Sequence, residues 1–336
     1  MHIAPDPEKL APLLEQAATQ SDVCEALCAE ADRVRAQVFG DTVYVRGIIE
    51  FANVCRNNCH YCGIRRDNSH VMRYRMTADE IVEVAMTVRR LGCGTVVLQS
   101  GEDPSFTAPA LGEIIRRVKD ETGLAVTLSV GVRTREELAA LKTAGCDRYL
   151  LRFETSSETV FNAIHPDDTL ENRVACLNDL RELGYQVGSG FMIGLPGAPL
   201  GQIARDLAFA TQLKLQMIGC GPFLAHPGTP LAGAPTLENR NVYYAVMALL
   251  RILNPRAHIP ATTAFDALEP GGRDRVMRCG ANIFMPNITP AKYRRLYQLY
   301  PNKPSVDEDG ETSFRHVCER LAALGRAVST DAGHAF

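Results

Sequence analysis

Short apolar runs alternate along the chain with longer segments in which apolar residues recur at helical spacing. The apolar runs lie at 43–51, 95–99, 125–130, 148–154, 186–193, 217–223, 258–262 and 281–285. The helical segments are 77–91, 109–122, 135–144, 170–183, 200–213, 239–253 and 270–279. Parallel strands joined by right-handed helical crossovers produce this alternation. Eight strand candidates therefore predict an α/β fold, namely a (β/α)8 TIM-type barrel.

The ends of the chain add helices to this barrel. Residues before the first strand predict two helices, at 7–19 and 23–39. The start of the first barrel helix is marked by Thr77 ahead of Asp79 and Glu80, the pattern of a capped N-terminus. The predicted organisation is an N-terminal helical extension at 1–40, the barrel at 41–300 and a C-terminal helical tail at 301–336.

The composition is that of a globular protein, with 46% hydrophobic residues, 22% charged residues and a net charge of −3. No basic field for nucleic acid is present. The first residues lack the regions of a signal peptide, and no apolar run approaches the roughly 20 residues that cross a membrane. We therefore expect a cytoplasmic protein without nucleic-acid or membrane partners. Eleven cysteines, scattered through a chain of enzyme size, favour reduced thiols.

Three of these cysteines lie just beyond the first strand candidate. Cys55, Cys59 and Cys62 form a C-x3-C-x2-C pattern in the first βα loop, at the end of the barrel where active sites are built. Three thiolates can hold a [4Fe–4S] cluster and leave its fourth iron open. The alternatives are core thiols or a structural zinc site. Zinc sites close four ligands, usually as two pairs, and the sequence has no second C-x2-C.

An open iron has a specific chemical use. S-adenosylmethionine (SAM) can chelate it through its amino and carboxylate groups, and electron transfer from the cluster then releases a 5′-deoxyadenosyl radical. The cysteine pattern therefore predicts two cofactors, a [4Fe–4S] cluster and SAM. Cys55, Cys59 and Cys62 are the predicted metal ligands and catalytic residues.

With Tyr61 before the third cysteine, the motif is similar to the signature of the radical SAM superfamily. Further segments resemble one of its families, the maturation proteins of [FeFe]-hydrogenases. They are NVCRNNCHYCGIRRDN, YRMT, VLQSGEDP, DRYLLRFET, GLPG, GPFLAHPGTPL, IPATTA and RCGAN, followed by MPNITPAKYRRLYQLYP. The likeness extends from about residue 31 to residue 301. Some relatives carry a second cluster bound by three more cysteines, but here only Cys318 follows Tyr300.

The resemblance implies a SAM site at the strand ends. Glu102 would accept from the SAM amino group, Glu154 would bind the ribose and Arg173 the carboxylate. A Gly/Pro turn after the fifth strand would present apolar surface to the adenine. The predicted cofactor-binding residues are Tyr61, Gln99, Ser100, Gly101, Glu102, Glu154, Arg173, Met192 and Leu195.

A substrate site is expected deeper in the barrel. Arg152 alternates with Glu154 on the fourth strand, so both side chains point to one face. Tyr297 and Tyr300 are three apart and would share a helix face. The alternatives are a structural Arg–Glu pair and an aromatic core. The predicted substrate-binding residues are Arg152, Thr262, Thr263, Tyr297 and Tyr300. The sequence favours a structural or surface position for His165.

By resemblance, the chain is expected to help assemble the diiron subcluster of the [FeFe]-hydrogenase H-cluster. Its substrate would be a small anion, either an organometallic iron–cysteine complex with CO and cyanide or an amino-acid derivative. An electron donor such as flavodoxin or ferredoxin is implied, as is transient contact with other hydrogenase maturases. The alternatives are a methylornithine synthase or a biotin-synthase-like enzyme on the same scaffold, and a non-catalytic iron–sulfur carrier.

Overall fold

The computed structural model describes residues 3–335, so the outermost residues of the two predicted terminal segments lie outside the described part. The helices are α1 Pro7–Thr19, α2 Ser21–Phe39, α3 Ala78–Arg90, α4 Ala108–Thr122, α5 Arg135–Thr143, α6 Glu158–Ile164, α7 Leu170–Glu182, α8 Leu200–Gln212, α9 Arg240–Leu253, α10 Ala264–Leu268, α11 Gly272–Arg278, α12 Ala291–Arg294 and α13 Gly310–Ala323. The strands are β1 Thr42–Ala52, β2 Thr95–Ser100, β3 Ala125–Ser129, β4 Arg148–Leu150, β5 Gln186–Ser189, β6 Met192–Ile193, β7 Met217–Ile218, β8 Gly221–Pro222, β9 Ile283–Phe284 and β10 Ala327–Ser329.

Parallel pairing runs through the sheet in the order β1, β2, β3, β4, β5, β7. From β7 it continues through a bridge between Met217 and His258, and a second bridge links Pro260 to Ile283 of β9. Strand β9 pairs with β1, which brings the pairing back to its start. This closed parallel arrangement with outer helices confirms the predicted TIM-type α/β fold.

Several strands are shorter than the apolar runs predicted. The run 148–154 is strand only at β4, because the chain leaves the sheet before Glu154, whose φ of 64° is left-handed. The runs 186–193 and 217–223 each break into two short strands, β5 with β6 and β7 with β8. Apolar runs at the mouth of the barrel therefore become irregular backbone that faces the cavity.

Capping pairs mark the starts of two barrel helices, one of them at the predicted Thr77. Thr77 caps α3, since its side chain accepts from Glu80 N while the Glu80 side chain accepts from Thr77 N. Thr134 and Glu137 form the same reciprocal pair at the start of α5. These pairs satisfy backbone donors that a helix start leaves free. The predicted starts of these helices are confirmed to within one residue.

The terminal segments pack on the barrel. Helix α1 lies against α8 and α9, and α2 lies along α9. The segment after Tyr300 contains α13, but it is not purely helical as predicted, because β10 pairs in parallel with Thr42–Tyr44 of β1. The backbone beyond β10 turns under the barrel, where Arg46 and Arg148 donate to the carbonyls of Gly333 and Ala332. Burial of both guanidinium groups explains why the tail adopts this path.

Two further findings concern the chain as a whole. Cys28 on α2 and Cys279 after α11 are joined as a disulfide, so the expectation of reduced thiols is wrong for this pair. No helix within residues 3–335 is long and apolar enough to span a lipid bilayer.

Candidate active site

A cavity of about 390 Å³ opens at the C-terminal ends of the barrel strands. It brings together side chains that lie far apart in the sequence. Every predicted site residue except Leu195 lines it: Cys55, Cys59, Tyr61, Cys62, Gln99, Ser100, Gly101, Glu102, Arg152, Glu154, Arg173, Met192, Thr262, Thr263, Tyr297 and Tyr300. A barrel mouth is where enzymes of this architecture place their chemistry.

The loop that carries the cysteines is folded around one arginine. Arg73 Nη1 donates to the carbonyls of Asn53 (2.6 Å) and Ile64 (2.7 Å), and Arg73 Nη2 reaches the carbonyls of Arg66 and Asn68. One guanidinium thereby ties the start of the loop to its far end. Backbone carbonyls in an irregular loop need such donors, because no ladder or helix satisfies them.

The end of β2 packs directly beneath this loop. A Cβ at Gly101 would lie 2.9 Å from Cys55 Cβ and closer still to the Val54 carbonyl oxygen. The neighbouring Glu102 donates its backbone N–H to Cys55 Sγ at 3.4 Å. Its carboxylate oxygens accept from Arg56 Nε (2.7 Å) and from other donors of this region. Gly101 and Glu102 therefore position the cysteine loop, a role that the sequence analysis did not assign to them.

The three cysteine thiols are partly buried and influence one another. Burial, and then the charge of the neighbouring cysteines, raises the pKa of Cys59 and raises that of Cys62 to about 12. Burial also raises the pKa of Cys55. Without a cation between them these groups hold their protons, since three adjacent thiolates would repel. A metal cluster supplies the positive charge that allows all three to ionise.

The three cysteines suit a cluster by their chemistry and by their shared position on the cavity wall. Within the described part of the chain, no three His, Cys, Asp or Glu side chains converge on a point where one metal ion would be held. In a cubane each cysteine binds a different iron, so the sulfurs surround the cluster and need not meet at one point. Cys55, Cys59 and Cys62 are therefore able to hold a [4Fe–4S] cluster.

A hydrogen-bonded group of side chains stands beside the loop. The Tyr61 hydroxyl lies 3.2 Å from Glu154 Oε1 and 2.8 Å from Nε2 of His165. The other ring nitrogen, Nδ1, lies 3.2 Å from Cys59 Sγ. Burial, and then the charge of Arg173, lowers the pKa of His165. The sequence analysis favoured a structural or surface position for His165 over a role as a metal ligand, and the structure buries its ring at the wall of the cavity.

Arg152 and Glu154 do not share a regular strand as predicted, yet both face the cavity. Arg152 Nη2 comes within 3.0 Å of Glu154 Oε2, but the angles are poor for a hydrogen bond. Arg152 Nε and Nη2 and Glu154 Oε2 are consequently buried without a hydrogen-bond partner among the described residues, although Nη2 and Oε2 form an ion pair. Buried polar atoms rarely stay unpaired, so these atoms indicate where a polar ligand binds.

The backbone holds Glu154 in its unusual conformation. Its N–H donates to the Gly190 carbonyl at 3.0 Å, and its own carbonyl accepts from Met192 N at 3.0 Å. The following Ser156 is fixed by Asp206, which accepts from its backbone N–H (2.6 Å) and its hydroxyl (2.7 Å). A non-glycine residue with positive φ is costly, and such strain concentrates at functional sites.

Arg173 reaches the site from α7. Its Nε donates to Asp168 Oδ2 at 2.7 Å and its Nη1 to the Arg152 carbonyl at 2.9 Å. Burial alone would lower the pKa of Arg173, but the charges of Tyr61, Asp168 and Glu154 raise it. The group is therefore a fixed cation at the wall of the cavity.

A small apolar cluster forms another part of the wall. Its buried members are Ile164, Met192, Leu195 and Phe223. Tyr61 packs against this cluster from the cysteine loop. Leu195 is buried within it although it does not reach the cavity. Met192 and Phe223 of this cluster also line the cavity, and the predicted role of this wall in binding an adenine ring stays a prediction.

Four of the predicted substrate residues, Thr262, Thr263, Tyr297 and Tyr300, contact other residues of the cavity wall. Thr262 donates to the Cys220 carbonyl at 3.2 Å, and the hydroxyls of Thr263 and Tyr300 are hydrogen bonded. Gln99 Nε2 donates to the Tyr297 hydroxyl at 3.2 Å. The prediction of one helix carrying both tyrosines was wrong, because α12 ends at Arg294. The turns that follow α12 nevertheless bring both rings to the cavity.

Lys303 and Arg273 are cationic residues of the cavity that the sequence analysis did not identify. Lys303 is buried and forms an ion pair with Glu50 of β1, and it donates to the Tyr297 carbonyl at 2.9 Å. Arg273 donates to the carbonyls of Ala261 (2.8 Å) and Met285 (3.2 Å). Glu50 could have been noticed in the sequence because it is an acidic residue within an apolar strand run. A buried carboxylate needs a cationic partner. Nothing comparable marks Lys303, which lies in a polar segment.

Comparison with known proteins agrees with this geometry. Residues 49–210 match the model of the radical SAM superfamily. The chain is 47% identical over 309 residues to the [FeFe] hydrogenase maturase subunit HydE of Thermotoga maritima, covering 92% of this chain and 88% of the relative. It is 26% identical over 304 residues to the 3-methylornithine synthase of Methanosarcina acetivorans, covering 90% and 84%.

A solved structure of a related enzyme has the same fold. The crystal structure of methylornithine synthase (PylB) superimposes with a TM-score of 0.86 at 25% identity and covers 97% of this chain and 95% of that one. The barrel, the cysteine loop and this likeness agree. The chain therefore belongs to the radical SAM superfamily of enzymes, which use a [4Fe–4S] cluster and SAM, and within it to the HydE family of [FeFe] hydrogenase maturases.

Proposed function

We propose that this chain acts as a radical SAM maturase in the assembly of the diiron subcluster of the [FeFe]-hydrogenase H-cluster. The observation that carries the proposal is its 47% identity to a HydE over nearly the whole length of both proteins. The cavity supports it, because the side chains that such an enzyme needs meet at one barrel mouth.

Cys55, Cys59 and Cys62 are the proposed ligands of the cluster. When bound, the cluster supplies the electron that cleaves SAM to methionine and a 5′-deoxyadenosyl radical. The chain's own part is to hold three thiolates in place and to exclude water around them. Arg73, Gly101 and Glu102 do so by fixing the loop against the end of β2.

SAM is proposed to lie between the cysteine loop and the wall formed by Met192 and its apolar neighbours. Glu154 Oε2 is buried without a hydrogen-bond partner and would accept from a ribose hydroxyl. Arg173, a fixed cation, would face the carboxylate. Glu102 would accept from the amino group, since each carboxylate oxygen can take more than one donor. Tyr61, Gln99 and Ser100 complete the proposed SAM site, and Leu195 supports it by packing with Met192.

The substrate is proposed to be a small anion, either an iron–cysteine complex with CO and cyanide or an amino-acid derivative. Arg152 presents two buried nitrogens without hydrogen-bond partners, one of which is ion-paired with Glu154, and Thr262, Thr263, Tyr297 and Tyr300 add hydroxyls around the same space. Glu50 is already paired with Lys303, so it is not free to receive an ammonium group. This pattern favours an anion over the lysine that a methylornithine synthase would bind.

An electron donor of the flavodoxin or ferredoxin class is part of the proposal, as is transient contact with other hydrogenase maturases. Radical SAM cleavage consumes one electron, so a reductant must approach the cluster from the protein surface. The cysteine loop lies at that surface, where Arg56 and Arg66 are exposed.

The test is an anaerobic maturation assay with an apo-[FeFe]-hydrogenase, the other maturases, SAM and a reductant. The wild-type chain is expected to restore hydrogen production to a mixture from which HydE has been omitted. Cys59→Ala is expected to fail. Cys318→Ala, a change at a half-buried cysteine on α13, is the matched control and should behave as wild type. Failure of wild-type chain, with 5′-deoxyadenosine formed on addition of lysine, would identify a methylornithine synthase instead.

A further inference from the structure

His165 occupies a position that the proposed roles of the neighbouring residues leave unexplained. Its ring is 2% exposed and stacks on Phe161, with centroids 4.6 Å apart and planes 12° from parallel. The residue before it, Ile164, accepts from His60 N at 2.9 Å, which ties the end of α6 to the cysteine loop. The ring is therefore locked in place next to the loop.

Both ring nitrogens are engaged. Nδ1 is 3.2 Å from Cys59 Sγ, and Nε2 is 2.8 Å from the Tyr61 hydroxyl. A neutral imidazole carries one proton, so one nitrogen donates and the other accepts. Two arrangements satisfy both contacts of the ring. In one the ring proton is on Nε2, and in the other it is on Nδ1.

With the proton on Nε2, Nδ1 would have to accept from the Cys59 thiol. That arrangement requires an S–H group, which a cysteine bound to a metal has lost. Arg173 Nη2 also lies near Nδ1, but at 3.5 Å it is farther away than Cys59 Sγ at 3.2 Å. A lone pair on Nδ1 would then face an anionic sulfur at close range.

We infer that Nδ1 of His165 donates a hydrogen bond to the sulfur of Cys59 when that cysteine is a cluster ligand, and that Tyr61 fixes this tautomer by donating to Nε2. The inference rests on the proposed function only in taking Cys59 as a ligand. His165 is thereby a positioning residue that tunes the cluster. The Tyr61 proton, once turned towards Nε2, no longer engages Glu154, whose Oε1 becomes free to accept from SAM.

The consequence is a change in reduction potential. Hydrogen bonds to the sulfurs are among the factors that set the potential of an iron–sulfur cluster. A donor stabilises the reduced cluster more, because the reduced cluster carries more negative charge. Loss of the donor should therefore make reduction harder. We expect a change of about tenfold in the one-electron equilibrium constant, which corresponds to about 59 mV.

The experiment is an EPR-monitored redox titration of the reconstituted holoenzyme without SAM. His165→Phe keeps a stacked ring but removes the donor, and should lower the midpoint potential by about that amount. Tyr61→Phe should lower it less, while His165→Asn, which retains an N–H at the same branch of the side chain, should recover most of the loss. His70→Phe is the matched control, because His70 lies on the same loop but is exposed.

An unchanged potential in His165→Phe with its cluster intact would overturn the inference, and so would a failure of His165→Asn to recover it. Either result would leave the proposed function standing, provided that SAM is still cleaved. If His165→Phe does not hold a cluster, wild-type chain labelled with ¹⁵N-histidine decides the matter. A weak nitrogen coupling to the reduced cluster supports a hydrogen bond, whereas no coupling, or the strong coupling of a bound nitrogen, contradicts it.

Discussion

Replacing Gly101 by alanine is expected to disturb the cluster site without touching a cysteine. The added methyl group would lie 2.9 Å from Cys55 Cβ and closer to the Val54 carbonyl oxygen, whereas ordinary contacts are 3.4–4 Å. The loop would have to move by at least about half an ångström. Overpacking of this kind costs about 1–3 kcal/mol. Because about 1.4 kcal/mol is a factor of ten, the native loop position should become roughly 5- to 150-fold less favoured.

The assay is iron and sulfide content after anaerobic reconstitution, together with the EPR signal of the reduced cluster. Gly101→Ala should bind less iron and show a broadened or weakened signal. Gly201→Ala is the matched control, because Gly201 lies in α8, where an added Cβ meets only Arg205 at 3.9 Å. Full iron content and an unchanged spectrum in Gly101→Ala would refute the claim that β2 positions the cysteine loop.

Three other changes have distinct outcomes. Arg152→Met should keep the cluster and uncoupled SAM cleavage. It should reduce turnover of an anionic substrate about tenfold or more, since charged hydrogen bonds contribute about 1.5–3 kcal/mol. Loss of SAM binding would instead assign Arg152 to the cofactor. Lys303→Met should lower the free energy of unfolding by about 3–5 kcal/mol in urea titrations by leaving Glu50 buried and unpaired, and a loss no larger than that of the exposed Lys9→Met would contradict this. The backbone N–H of Thr77 and the hydroxyl of Tyr293 lower the pKa of Glu80 to about 2. The extra stability of the wild-type protein over Glu80→Gln should therefore be full above pH 4.5 and should disappear as the pH falls towards 2. A difference in melting temperature between the two proteins that persists at pH 2 would argue against this.

The alternation of apolar runs and helical segments was sufficient to predict the barrel, because each βα unit is specified locally and parallel strands have few ways to assemble. It could not predict where strands stop near the cavity. Glu154 illustrates the reason. Its left-handed backbone is held by hydrogen bonds to Gly190 and Met192, which are distant in sequence.

The candidate site was predicted unevenly for a similar reason. Residues within a recognisable motif, such as Cys55 and Glu102, were placed at the cavity mouth correctly. His165 was not, because an isolated His-Pro pair gives no sign that its ring will meet Cys59. Lys303 was missed because its partner Glu50 lies on β1, 253 positions away. Contacts between distant segments are decided by the assembled fold and leave little trace in a single sequence.

The most direct test of the central claim is anaerobic reconstitution of the wild-type chain, followed by reduction and addition of SAM. The account predicts four irons per chain, a change in the EPR spectrum when SAM is added, and formation of 5′-deoxyadenosine. Cys59→Ala should lose all three, and Cys318→Ala should lose none. Iron binding by the wild-type chain without any change on addition of SAM, and without 5′-deoxyadenosine, would contradict the account and indicate an iron–sulfur carrier.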